Sequence, residues 1–279
     1  MYLVMKESMN RIVTALKYSY IPLQPGFESK CENYVEMKLS GTDVLSKIIS
    51  VFYQFKITES VENFIPVIPD GCIDIIFYDS QNNSFSNICG SVIKSKKISL
   101  IKGCEYFGVR FFPGEAIRVL KCSIKEFIDN EVPLIDIVKK DLFISEKISK
   151  AQNFYDRVAV FKNFITSFFL DTHIPLIIQN SIKKICENKG VVSMNELAEY
   201  TGYSTRYLRK TFETFVGISP KLLSQIVRFQ NCLYMIINED NYELMDMILE
   251  CGYYDQSHFI NEFKKFIYLT PNQIKLKKF

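Results

Sequence analysis

The sequence predicts an α+β chain in two parts: a β-rich N-terminal domain, barrel- or sandwich-like with flanking helices, and an all-α C-terminal domain. Three observations predict it. The chain has 279 residues, and at roughly 100–200 residues per domain that length suits two cores. The apolar period changes from two to about 3.6 residues after Gly114. The last hundred or so residues also repeat themselves, with matching positions 50 or 51 apart. Residues 1–170 are read as the N-terminal domain with a helical end, 171–180 as a linker and 181–279 as the helical domain.

Composition narrows the function classes. Apolar residues make up 48% and charged residues 23%, which is the balance of a packed globular chain and not of a disordered one. Net charge is +3 from 34 Lys+Arg against 31 Asp+Glu, so charge alone signals neither nucleic acid nor a membrane surface. No apolar stretch reaches the roughly 18 residues of a spanning helix, and the apolar Met1–Met5 stops at Lys6-Glu7 without forming a signal-peptide core. A cytoplasmic protein with no membrane partner is expected. Eight cysteines, at 31, 72, 89, 104, 122, 186, 232 and 251, include no C-x-x-C pair and read as reduced, mostly buried thiols. The histidines are His173 and His258, too few for a three-His metal site and poor stock for a catalytic base. No metal, no cofactor and no enzymatic activity are expected.

In chain order, residues 1 to about 16 form an apolar leader. Tyr34–Leu39 alternates like a half-buried strand. Pro69-Asp70-Gly71 is a turn feeding a strand over Cys72–Tyr78, and Gln81–Ser84 reads as a hairpin loop. Ile98–Ile101 and Tyr106–Phe112 follow as strands, the latter closed by Pro113-Gly114. Ser123 with Glu126 forms a capping-box signature for a short helix over Ile124–Asp129. Across Ala151–Leu170, Phe154, Val158, Phe161, Ile165 and Phe168 share one helical stripe. That stripe is either a dimer seam or, the favoured reading, a face packed on the β-unit. Asp171–Pro175 then breaks the helical pattern.

The internal repeat pairs Gly202-Tyr203 with Gly252-Tyr253, Leu208 with Phe259, Phe212 with Phe263, and Pro220 with Pro271. In the first copy, Ser193 and Glu196 cap a helix through Tyr200, Thr201-Gly202-Tyr203 turns, and Ser204 caps a second helix to about Val216. That is a helix-turn-helix, with small Ala198 and Gly202 where the helices cross closely. Leu208 and Phe212 face inward on the second helix, while Arg206, Arg209 and Lys210 face outward near its start. A solvated helix face would look the same; duplication of the motif favours reading of a DNA major groove, where Arg bonds guanine O6 and N7.

Residues 181–279 resemble the DNA-binding domain of the AraC/XylS family of transcription regulators. The resemblance rests on Ser193-x-x-Glu196-Leu197-Ala198, Gly202-Tyr203-Ser204, Leu208, Phe212, Gly217-Ile218-Ser219-Pro220, Arg228, Gly252-Tyr253-x-Asp255-Gln256-Ser257-His258-Phe259, Phe263-Lys264-Lys265 and Thr270-Pro271. It implies two helix-turn-helix units joined by a long helix, fitted here by Lys221–Asn238 with Leu222, Ile226, Phe229, Leu233 and Ile236 as its apolar face. It further implies that the two recognition helices enter successive major grooves of double-stranded DNA, so that the protein acts as a transcriptional activator or repressor. Carried over residue by residue, Ser204, Thr205, Arg206, Arg209 and Lys210 serve the first unit, and Gln256, Ser257, His258, Ile260 and Asn261 the second. Two positions depart from the pattern: Tyr268 stands where a glycine ends the second recognition helix, and Glu243 where a capping residue is expected. The segment holds 13 Lys+Arg against 11 Asp+Glu, so few phosphate contacts are expected.

The segment from about Tyr20 to Leu170 resembles the uncharacterised N-terminal domain of one branch of that family. It does so through Pro69-Asp70-Gly71-Cys72-x-Asp74, Gly108-Val109-Arg110-Phe111-x-Pro113-Gly114, Glu126 and Val132-Pro133-Leu134. By analogy it is a ligand-sensing or dimerisation module. Asp74 and Arg110, beneath an aromatic rim that includes Tyr106, either hold a small polar effector or form a buried salt bridge that fixes strand register; the salt bridge is favoured. The alternative reading of the whole chain is a protein-interaction or redox/ligand-sensing module with weak or lost DNA binding, the redox candidates being Cys72, Cys89 and Cys104. RNA polymerase, a small-molecule effector and a homodimer stay open as further partners.

Overall fold

A computed structural model describes residues 20–58, 64–80, 83–139, 143–166, 173–238, 244–271 and 273–274. The N-terminal part is built on a six-stranded antiparallel sheet in the order β1-β2-β7-β4-β5-β8. Its strands are β1 (Glu32–Met37), β2 (Ile49–Lys56), β4 (Ile73–Ser80), β5 (Asn83–Cys89), β7 (Glu105–Phe111) and β8 (Glu131–Pro133). A separate two-stranded ladder joins β3 (Phe64–Val67) to β6 (Lys96–Ser99).

Alternation along the strands sorts the core into two layers. Phe52, Ile75, Phe77, Phe107, Val109 and Phe111 belong to one buried face. Tyr53, Phe55, Ile76 and Tyr106 belong to the other, which also takes in Ile65 of the ladder and Phe27 of the short helix α1 (Pro25–Lys30). The β4–β5 ladder runs into the segment read as a Gln81–Ser84 loop, of which Asn83 and Ser84 are described. Asn83 already pairs with Ser80 and Ser84 with Asp79, because each added rung satisfies backbone groups a loop would leave to water.

The capping box expected at Ser123 is not formed: Ser123 makes no side-chain cap, and Ile124–Phe127 is a single 3₁₀ turn. The chain has no room for an α-helix there, since Ile128 is already extended and Asp129 is left-handed at φ 58°. Short helices α2 (Ile117–Leu120), α3 (Leu134–Ile137) and α4 (Ile144–Lys150) surround the sheet. On its first face lies α5 (Phe154–Thr166), whose Phe161 meets Phe52, Phe77 and Phe111 at ring-centroid distances of 6.0, 5.9 and 6.4 Å. The stripe of Phe154, Val158, Phe161 and Ile165 is therefore consumed inside the fold and does not form a dimer seam. Burial of Phe161 is worth about 2–3 kcal/mol.

The C-terminal part is helical: α6 (Leu176–Glu187), α7 (Met194–Thr201), α8 (Thr205–Val216), α9 (Pro220–Asn238), α10 (Leu244–Glu250) and α11 (Gln256–Ile267). Helix α6 starts five residues inside the segment read as linker, right after Pro175, whose fixed φ suits a helix start. The predicted long helix is α9, and it is embedded nearly all round; besides the expected apolar face, Leu223, Val227, Gln230, Cys232 and Met235 are buried. The leader, the Glu243 position, Phe168 and Asp171-Thr172 lie outside the described residues.

The two parts share one continuous core. Gln230 of α9 reaches across it, accepting from the Leu23 backbone N–H at 2.8 Å and donating to the carbonyls of Pro69 at 2.7 Å and Leu23 at 3.3 Å. Helix α8 packs on the 3₁₀ turn at Ile124–Phe127.

Candidate nucleic-acid interface and effector cavity

The first unit forms as its sequence dictates. Ser193 Oγ accepts from Glu196 N–H at 3.2 Å while Glu196 Oε2 accepts from Ser193 N–H at 2.7 Å, completing a capping box for α7. Gly202 ends that helix in the left-handed region at φ 74°, and Ser204 Oγ accepts from Tyr207 N–H at 3.3 Å to open α8. Leu208, Phe212 and Val216 are buried. Ser204, Thr205, Arg206, Arg209 and Lys210 are all exposed on the opposite side, gathered toward the N-terminal half. Arg209 Nε donates to Glu213 Oε1 at 2.9 Å. Among the described residues Arg206 and Lys210 have no carboxylate partner.

Two aromatic residues next to these cations went unread in the sequence. Tyr203 and Tyr207, 50% and 51% exposed, stack at 5.2 Å beside Arg206. Their i, i+4 spacing across the cap is the signal that could have found them.

In the second unit Asp255 Oδ1 accepts from His258 N–H at 2.7 Å and caps α11. Gln256, Ser257, His258 and Asn261 are exposed. Ile260 is half-buried against the core, so less of it is free for a thymine methyl than the sequence suggested. The His258 ring packs edge-on to Tyr253 at 5.3 Å. Tyr268 ends α11 at φ 54°, in the left-handed conformation usually left to glycine.

Below this surface sits a cluster that sequence reasoning missed, because an acidic residue on an outwardly polar helix gives no sign of burial. Glu262 of α11 is 6% exposed. It receives Arg228 Nη2 at 2.7 Å, Gln225 Nε2 at 3.0 Å and Tyr253 Oη at 2.9 Å, and the Arg228 guanidinium lies 4.4 Å from the Tyr253 ring. Arg228 thus ties α9 to α11 through Glu262.

In the N-terminal part the expected pair forms. Asp74 stands opposite Arg110 in the β4–β7 register, and Arg110 Nε and Nη2 donate to Asp74 Oδ1 and Oδ2 at 2.9 and 2.8 Å. Tyr53 Oη donates to the same carboxylate at 2.6 Å. Asp70 lies 3.6 Å from Arg110 Nη1 and also accepts from Gln24 Nε2 at 2.9 Å and Cys72 N–H at 2.9 Å. Burial pushes the Asp70 carboxyl up, Arg110 opposes this and Asp74 adds to it.

These groups do more than fix register. Asp70, Asp74 and Arg110, with Tyr106, line a cavity, partly open to solvent, between the main sheet and the β3–β6 ladder. The redox candidates fare worse. Burial pushes the Cys72, Cys89 and Cys104 thiols up, so all three stay protonated, the opposite of a reactive thiolate. Among the described residues no group of three or more His, Cys, Asp or Glu side chains is placed to hold a metal, and no helix is long and apolar enough to cross a membrane.

Comparison with known proteins agrees with this geometry. Residues 197–276 match the family described as a helix-turn-helix domain, and residues 39–133 match a domain of unknown function, DUF6597. An uncharacterized HTH-type transcriptional regulator of Haemophilus influenzae is 27% identical over 82 residues, 29% of this chain and 27% of that protein. The chain therefore aligns with about a quarter of the length of this relative. Among solved structures, ToxT from Vibrio cholerae is similar at 12% identity over 87% of this chain and 98% of its own, with a TM-score of 0.43. The C-terminal domain of AraT, a response regulator from Geobacillus stearothermophilus, is similar at 20% identity over 38% of this chain and 88% of its own, with a TM-score of 0.35. With its capped and duplicated helix pairs, the chain carries a helix-turn-helix domain over residues 197–276, preceded over residues 39–133 by a domain of unknown function, DUF6597.

Proposed function

We propose that the protein is a sequence-specific transcription regulator that reads two successive major grooves with α8 and α11, and that its N-terminal domain biases this reading. The observation that carries the proposal is the exposure of Arg206, Arg209 and Lys210 at the start of a helix whose other side is locked in the core. Cations there are placed for base edges and adjacent phosphates. Ser204 and Thr205 flank them, and Gln256, Ser257, His258 and Asn261 supply the polar face of the second helix, with Ile260 contributing its free edge.

Control by the N-terminal domain has a physical route. The Asp70 loop borders the cavity, and its neighbour Pro69 accepts from Gln230 of the helix that joins the two units. A ligand touching Asp74, Tyr106 and Arg110 would act on that loop. It would shift DNA binding only to the extent that it prefers one arrangement of the loop over another. Double-stranded DNA is the proposed partner.

The test is fluorescence-anisotropy binding to duplexes tiled upstream of the protein's own gene, at two salt concentrations. Arg206→Ala/Arg209→Ala is expected to weaken the selected duplex by about 1–3 kcal/mol per lost base contact. Equal weak binding to every duplex, unchanged in the variant, would overturn the assignment.

A further inference from the structure

The cavity beside Asp70 has a chemical character that the DNA-reading proposal does not use. Its walls are apolar and largely aromatic: Phe27, Ile76, Tyr78, Ile98, Leu100 and Tyr106. Its floor carries two carboxylates, Asp70 and Asp74, against a single cation, Arg110, all three buried. Asp74 is saturated by Arg110 and Tyr53, so the unbalanced negative charge falls on Asp70, which meets Arg110 only at 3.6 Å. Around the mouth stand Lys96, whose ammonium donates to the Asp129 backbone carbonyl, and the Asp129 and Glu131 side chains, so the excess there is again one negative charge. A buried carboxylate held mainly by neutral donors, Gln24 and the Cys72 N–H, is costly until a proton or a positive group joins it.

A second, independent feature lies in the same wall. Ser91 is 2% exposed, lines the cavity, and its hydroxyl has no hydrogen-bond partner among the described residues. Ser91 follows two residues after Cys89, the last residue of β5, and lines the same cavity as Asp70. A buried hydroxyl without a partner is rare, and a ligand donor is one way to satisfy it.

We infer that this cavity binds a protonated amine with an apolar or aromatic body, its ammonium at the Asp70 end within reach of Ser91 and its body against Tyr78, Tyr106 and Phe27. An ammonium supplies the missing charge and N–H donors, and aromatic faces attract it further. An anion would meet excess negative charge. A neutral alcohol would leave that charge uncompensated. This assignment rests on the reading of the cavity as an effector site.

Thermal melting of the full chain with 2-phenylethylamine, 2-phenylethanol or 3-phenylpropanoate, matched in shape and differing in charge, tests it. At about ten times its dissociation constant the amine is expected to raise Tm by about 3–6 °C, and the other two by less than about 1 °C. Asp70→Asn should reduce the amine's effect to that of the alcohol. Should Asp70→Asn fail to fold, Tyr78→Leu, at a half-exposed wall position, should melt close to wild type without ligand and lose most of the amine's effect. If the alcohol or the propanoate stabilises as strongly as the amine, and Tyr78→Leu removes that effect, the effector site stands and the ammonium assignment is overturned. If none of the three shifts Tm at 10 mM while selective DNA binding persists, both are overturned.

Discussion

The two helix-turn-helix units are copies in fold and opposites in how they are held. Helix α8 carries three exposed cations and ends at Gly217, buried against the N-terminal domain. Helix α11 exposes Gln256, Ser257, His258 and Asn261 near its start, with no Lys or Arg among them, and ends at an exposed Tyr268. The first unit leans on the N-terminal domain; there Lys125 lies 3.9 Å from Glu213, the residue that also pairs with Arg209. The second is fastened to α9 through Glu262 and Arg228. The repeat thus supplied two similar helix pairs, and their attachments differ: charge and interdomain contact went to one, internal fixation to the other.

Glu262→Ala breaks this contrast most severely. It leaves Arg228 and the Tyr253 hydroxyl without their carboxylate, at an expected cost of about 3–4 kcal/mol in a urea melt. A loss below about 1 kcal/mol would mean the second unit is held by its apolar contacts alone.

The paired C-caps come next. Gly217→Ala places a Cβ at φ 87°, 2.7 Å from Ile128 Cδ1 and 3.0 Å from the Ile124 carbonyl, and should cost about 2 kcal/mol. Tyr268→Gly relieves the same conformation where nothing is docked and should gain about 1 kcal/mol. Equal signs for the two would erase the proposed difference between the units. Smallest is Lys125→Ala. Its side chain is 67% exposed, so the expected change is within about 0.5 kcal/mol; a larger one would show that an ion pair, and not the packing at Gly217, holds α8 in place.

Most of this was legible because local rules agreed with the fold. Ser193 with Glu196, Ser204, the glycine turns and the apolar spacing of Leu208 and Phe212 each act within one turn of helix, where chemistry and sequence distance coincide. The Asp74–Arg110 pair was also readable, since alternation fixes which face each residue takes. What escaped depends on long-range partners. Gln230 looks like any helix glutamine until Leu23, 207 residues away, is set beside it. Glu262 looks solvated until Arg228 and Tyr253 close over it. The short helix expected at Ser123 failed for a related reason: Ser123 and Glu126 have the spacing of a capping box, but Ile128 is extended and Asp129 left-handed, so the chain leaves the helical path after one turn.

Gln230 also bears on how such a protein can be rearranged by evolution or in the laboratory. Its amide supplies the hydrogen bonds of the Leu23 backbone and of the Pro69 carbonyl, both in the other half of the chain. Cutting the chain near residue 171 would strip those bonds from one fragment and bare the core surface around α9 on the other. Neither half is therefore a cassette that can be traded freely with relatives: a transplanted sensor would arrive with a loop shaped for an amide its new host does not offer, and a chimaera that works must carry position 230 and the 69–71 turn together.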